Sequence, residues 1–137
     1  MLSSLEPHEV CLDGYSEVSV MHPRFLTNIR ATEGQGFAGL SGGTRTIDRV
    51  GYLEDFFDCL ACEGCTANIL SQADVEDVYD VTYEQGLSFT VHLPGRDLVF
   101  ERREKLYIAD MSEWIQKDAR VNVTTVRTES PSIQRKR

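Results

Sequence analysis

The clearest pattern in the chain lies between residues 87 and 93, where Leu87, Phe89, Val91 and Leu93 alternate with Ser88, Thr90 and His92. A period of two places apolar side chains on one face of a strand and polar ones on the other. Pro94-Gly95 follows and fits the central positions of a type II turn. Proline presets φ at the first of these positions, and glycine takes the positive φ required at the second. Asp97-Leu98-Val99-Phe100 returns as a strand, Arg103-Glu104 turns again, and residues 105–109 complete a three-stranded meander. The segment DMSEWIQ adds a terminal helical turn, with Trp114 packing at the core edge.

Upstream the pattern is more broken. Glu9-Val10-Cys11-Leu12 reads as a short buried strand running into Asp13, and residues 16–21 (SEVSVM) alternate as a second strand. His22-Pro23 interrupts it, because the residue before proline is pushed to extended geometry; PRFLTNIR then reads as a short helix with Pro23 in its first turn. Residues 33–43 (EGQGFAGLSGG) hold Gly34, Gly36, Gly39, Gly42 and Gly43, a density suited to a hairpin tip or moving loop. Residues 44–53 resume β alternation, and residues 56–61 form a further apolar segment. The best helix candidate spans residues 71–79, where Ser71 and Asp74 have the spacing of a helix start and Glu76 and Asp77 add favourable negative charge.

With 137 residues and 41% hydrophobic content, one domain with a real core is expected. The expected division is an N-terminal extension over residues 1–7, a β domain over 8–116 and a basic, disordered tail over 117–137. Charge follows that division. Residues 1–116 carry 8 Lys+Arg against 20 Asp+Glu, and residues 117–137 carry 6 against 2. An acidic body repels phosphate backbones, which argues against nucleic-acid binding except weakly through the tail. No window reaches the roughly 18 apolar residues of a membrane helix, and MLSSLEPHEV lacks the layout of a signal peptide. An intracellular, cytoplasmic protein is therefore expected, with no membrane partner.

That compartment predicts reduced thiols for Cys11, Cys59, Cys62 and Cys65. Cys59, Cys62 and Cys65 have CxxC spacing twice over and are weak metal candidates, with Cys11 as a conceivable fourth thiolate. There is no second clustered pair, and His8, His22 and His92 have no partner spacing, so buried packing in a strand and turn is the favoured reading and no cofactor is expected. The glycine-rich stretch lacks the G-K-[ST] ending of a phosphate loop.

Three segments in this order carry a resemblance. LDGYSEVSVMHPRFLTNIR resembles the block around a catalytic aspartate, GLSGGTRTIDRVGYL a flap hairpin and its following strand, and ANILSQADVEDVYDVTYEQGLSFTVHLPGRDLVFERREKLYIADMSEW the "N-L-L-S" segment and the strands after it. Together they resemble the retropepsin-like aspartic protease region of copia-type retrotransposon polyproteins, over about residues 8–114. The resemblance implies a mostly β fold: a retropepsin-like closed barrel with a flap hairpin and one short helix, followed by a β meander. It implies Asp13 as the catalytic residue, Gly14, Tyr15 and Ser16 as the active-site loop, and the five glycines as the flap. The activity implied is peptide-bond hydrolysis on a peptide or polyprotein substrate, in a homodimer that shares one Asp from each copy.

The chain departs from the family at one point. Gly14 stands at the position of the family's bracing hydroxyl, and Tyr15 at its glycine, which describes a degenerate site in a polyprotein fragment or relic frame. Two functions follow. One is an aspartic endopeptidase; the other is a non-catalytic β domain of the same descent, acting as a peptide-binding or dimerisation module.

Overall fold

The computed structural model describes residues 5–38 and 44–116. Ten strands form one open, mixed sheet: β1 (Glu9–Asp13), β2 (Val20–Met21), β3 (Thr27–Ala38), β4 (Thr44–Tyr52), β5 (Asp58–Ala61), β6 (Asn68–Ser71), β7 (Val81–Glu84), β8 (Ser88–Leu93), β9 (Arg96–Arg103) and β10 (Leu106–Asp110). Their order across the sheet is β3-β4-β5-β2-β6-β1-β10-β9-β8-β7. One short helix, α1 (Gln72–Glu76), and two 3-10 turns, Pro23–Phe25 and Ser112–Trp114, complete the described chain.

The meander forms where the alternation puts it. β8 pairs antiparallel with β9, and β9 with β10. Leu93 lies opposite Arg96, with Gly95 at φ 81° in the turn between them. Nothing lies within 4 Å of a Cβ built on Gly95, so glycine is selected there by backbone conformation alone. Val91, Leu93, Leu98 and Phe100 are buried in the main core together with Val10, Leu12, Leu70 and Val75. Trp114 closes one end of this core, donating from Nε1 to Glu54 O at 2.9 Å and packing near Phe56, with the Arg96 guanidinium 4.6 Å from its ring centroid. A smaller cluster of Val20, Ile47, Leu60, Cys62 and Ile69 packs separately.

Three elements differ from the sequence expectations. PRFLTNIR makes only the 3-10 turn before the chain enters β3. Leu26 is already extended, Asn28 sits at φ 52°, and Thr27 and Arg30 pair with Tyr52 and Val50. Burial of Phe25 and Leu26, with Gly51 placed so that a Cβ would stand 2.9 Å from Leu26 Cβ, holds this segment against β4. Sheet pairing overrides a weak helix propensity here. Residues 16–19 form a loop, and only Val20–Met21 join the sheet. The helix at Ser71 forms as expected, Ser71 Oγ accepting from Asp74 N–H, but it closes after one and a half turns through the bonds of Asp77 N to Ala73 O and Tyr79 N to Val75 O.

The flap expectation divides. β3 and β4 form the long antiparallel hairpin, with two register shifts along it, and Gly34 and Gly36 lie in β3. A Cβ at Gly34 would stand 2.8 Å from Thr46 Cγ2, so the close approach of the two strands requires glycine. Gly39, Gly42 and Gly43 fall outside the described residues, as does the tail over 117–137. No helix of the described residues is long and apolar enough to cross a membrane.

Candidate functional site

Asp13 ends a strand that is held on both sides. β1 runs parallel to β6, pairing Asp13 with Ser71, and antiparallel to β10, pairing Leu12 with Tyr107. The flanking Val10 and Leu12 are buried in the core, so the strand is anchored while its terminal carboxylate is only partly buried. Asp13 Oδ1 accepts the Tyr15 N–H at 2.8 Å, a local turn that fixes the carboxylate at the start of the loop. Its negative charge reaches Cys11, whose thiol is pushed up to about 11, by burial first and by Asp13 second.

The loop residues take separate roles. Gly14 packs against α1: a Cβ there would stand 3.3 Å from Gln72 Oε1, and Gln72 is itself hydrogen-bonded to Glu76. The Tyr15 ring is 99% exposed, so it turns to solvent and leaves the backbone approach at this position open. Ser16 Oγ donates to Val18 O at 2.6 Å, which commits its hydroxyl locally.

The brace that fixes this loop lies at residues the sequence did not single out. Ser19, buried at 3% exposure, accepts the Ser71 N–H through Oγ and donates to Asp74 Oδ2, both at 2.9 Å. Its carbonyl accepts from Leu60 N–H. The hydroxyl therefore ties the loop after Asp13 to the start of α1, and the carbonyl of the same residue ties it to β5. Asn68 makes a second tie, its Oδ1 accepting from His22 N–H at 2.7 Å and its Nδ2 donating to Glu9 O at 3.2 Å. In the sequence both are short polar residues next to apolar ones, Ser19 between Val18 and Val20 and Asn68 ahead of Ile69, a context in which burial demands a partner.

The cysteines correct the sequence reading. Cys62 and Cys65 are joined as a disulfide across the turn between β5 and β6, with Cα atoms 5.6 Å apart. Three-residue spacing in a tight turn brings the two Cα atoms within bridging distance, a geometric fact that the compartment argument for reduced thiols overlooked. Cys11 and Cys59 are buried free thiols. Burial pushes the Cys59 thiol far up, with the Asp74 charge as the second cause. Cys59 joins the main core while Cys62 joins the smaller cluster, so the three cysteines do not converge. No group of three or more His, Cys, Asp or Glu side chains among the described residues could hold a metal ion.

His92 faces outward on β8, yet it is partnered: Nδ1 lies 3.0 Å from Asp97 Oδ1 and Nε2 lies 2.9 Å from Thr82 Oγ1. His22 Nδ1 accepts the Arg24 N–H at 3.0 Å, and partial burial lowers its basicity. Both therefore serve local structure. No family profile, no curated protein and no solved structure matches the chain.

Proposed function

We propose that this chain is a retropepsin-like aspartic endopeptidase domain derived from a copia-type retrotransposon polyprotein, with Asp13 as its catalytic carboxylate. The observation that carries the reading is the setting of Asp13. It is a partly buried carboxylate at the C-terminal end of an inner strand, paired in parallel with the strand that leads into the Ser71-capped helix.

Hydrolysis of a peptide bond by aspartates requires two carboxylates that share one proton. One takes a proton from water as it attacks the scissile carbonyl, and the other, protonated, polarises that carbonyl. Repulsion between the two splits their pKa values so that both roles coexist. Each chain offers one Asp13, so the active species in this reading is a homodimer with the two loops meeting at a two-fold axis. The β3–β4 hairpin serves as the flap over an extended peptide, and curling of the open sheet into the family's closed barrel belongs to the same proposal.

A specific observation favours the second reading, a non-catalytic β domain. Gly14 carries no hydroxyl to brace the two loops across a dimer, and the serine of the same loop, Ser16, is committed to Val18. One pair of proteins separates the readings. The chain and its Asp13→Asn variant are assayed on a peptide library at about pH 4–6, the range a carboxylate pair favours. Cleavage by the chain and none by the variant is the expected result; equal or absent cleavage in both refutes the enzyme. Light scattering on the same samples adds a second check, since a strict monomer excludes a shared dyad.

A further inference from the structure

The sheet ends at β7, and the exposed edge there has an unusual character. β7 pairs with β8 through Val81↔Val91, Thr82↔Thr90, Tyr83↔Phe89 and Glu84↔Ser88. His92 N–H donates to Asp80 O at 3.0 Å, which makes residues 80 and 92 a hydrogen-bonded pair. Opposed residues in an antiparallel ladder alternate between bonded and non-bonded pairs. Thr82 and Glu84 therefore bond to β8, and Val81 and Tyr83 direct their N–H and C=O groups away from it. Among the described residues no strand lies on that side. The edge also lacks the usual protection, for β7 contains neither proline nor lysine.

The two faces of this edge differ. On the core-side face Tyr83 is 54% exposed yet held in place. It stacks on Phe89 with centroids 4.5 Å apart, lies edge-on to Tyr107 at 6.2 Å, and its hydroxyl accepts the Gly86 N–H at 3.3 Å. A fixed, exposed aromatic ring presents apolar area with little entropy left to lose on contact. The opposite face carries Asp80 and Glu84. By register Asp97 and Glu101 of β9 share that face, so it meets a partner as an anionic strip, while Arg102 lies by Gly86 on the Tyr83 face.

We propose that β7 is a strand-addition site for an extended polypeptide segment that alternates apolar β-branched residues with Lys or Arg. The segment's backbone bonds to the N–H and C=O of Val81 and Tyr83. Its apolar side chains lie along Tyr83, and its cations lie along Asp80 and Glu84. The period of two that sorts side chains in a strand is what lets one segment satisfy both faces. The inference stands apart from the protease reading, since it uses no residue of the Asp13 loop.

The test uses the full chain, isotope-labelled, and an acetylated and amidated peptide KVRVKVR. Expected are saturable shifts centred on Val81 and Tyr83, and at least about tenfold slower amide exchange at those two residues on binding. The double substitution Asp80→Lys with Glu84→Lys leaves the backbone bonds to β8 in place and weakens binding about tenfold or more at low salt. Val81→Pro removes an outward N–H without touching the bonds to β8, and it abolishes the protection at Tyr83. Asp13→Asn leaves binding unchanged, which separates this site from the candidate active site. Equal affinity for the peptide EVEVEVE, or shifts mapping away from β7, overturns the proposal. So does full protection of Val81 and Tyr83 in the free chain, because the edge is then already occupied by the chain's own residues.

Discussion

Ser19→Ala removes one oxygen and unties the loop after Asp13 from Ser71 and Asp74 at the start of α1, while the backbone bond to Leu60 stays. Ser19 and Ser71 are 3% and 0% exposed, so the Ser71 N–H freed by the substitution does not reach water without local opening, whereas Asp74 is partly exposed. The Ser71 N–H loses its acceptor and the Asp74 carboxylate loses a donor. A bond to a charged acceptor contributes about 1.5–3 kcal/mol, and an unsatisfied buried N–H costs about 1–3 kcal/mol. Solvation of Asp74 after the change recovers part of this, so the net loss expected is about 2–4 kcal/mol. For a domain of this size that corresponds to a melting temperature lower by about 10 °C. Urea unfolding with an unchanged slope measures it directly. The control is Ser16→Ala, whose hydroxyl serves only a local turn and whose loss stays within about 0.5 kcal/mol. In amide exchange, Ser71 becomes the residue most accelerated in the Ser19→Ala protein. A loss below about 1 kcal/mol, or an unchanged Ser71 exchange rate, refutes the view that this hydroxyl anchors the loop after Asp13.

Two further outcomes follow from side chains away from that loop. Arg103 forms two hydrogen bonds of 2.9 Å to Glu9 and holds its carboxyl below the usual range. A depressed folded pKa stabilises above the unfolded value of about 4.3 and is lost as pH falls through the folded value. Glu9→Gln is therefore expected to cost about 1 kcal/mol at pH 7, Arg103 being partly exposed, with the difference from the parent shrinking as pH falls below about 4.3 and gone once pH lies below the lowered folded value. A pH-independent difference refutes the pairing. For the cysteines, alkylation of the native protein read by mass is expected to label none without reductant and two, Cys62 and Cys65, with it. Reduction itself is expected to lower stability by about 2 kcal/mol, the entropy of so short a loop; labelling of Cys11 or Cys59 under native conditions contradicts their burial.

The meander was legible because alternation, a Pro-Gly turn and a buried face all agree between residues 87 and 109. The helix start at Ser71 was legible for the same reason: capping chemistry is local. β7 escaped because Val81–Glu84 is only four residues long and mostly exposed, so its Val-Thr-Tyr-Glu alternation is too short to stand out from the helical pattern before it. The length of β3 escaped because its pairing comes from β4, a non-local partner, while its first residues read as helix. At the candidate site, Asp13 and the loop residues were named from order and spacing. Ser19 and Asn68 were not, because their importance comes from contacts with residues 52 and 46 positions away in sequence. Short polar side chains carry no periodicity, and only the folded neighbourhood distinguishes a buried tie from a surface serine.

The position of β1 between β6 and β10 also sets a timetable. The strand bearing Asp13 is the first of the described strands to be synthesised, yet its two ladder partners begin at residues 68 and 106. Such distant closures are slow to form, because chain entropy is surrendered before contacts return it. During translation β1 waits unpaired until β6 is made, and its other side stays open until β7, β8 and β9 have followed. Arrival of Leu106–Asp110 closes its second side, so any product ending before β10 exposes that flank to pairing with other chains. Whatever Asp13 does, the strand that carries it is held on both sides only after β10 has docked.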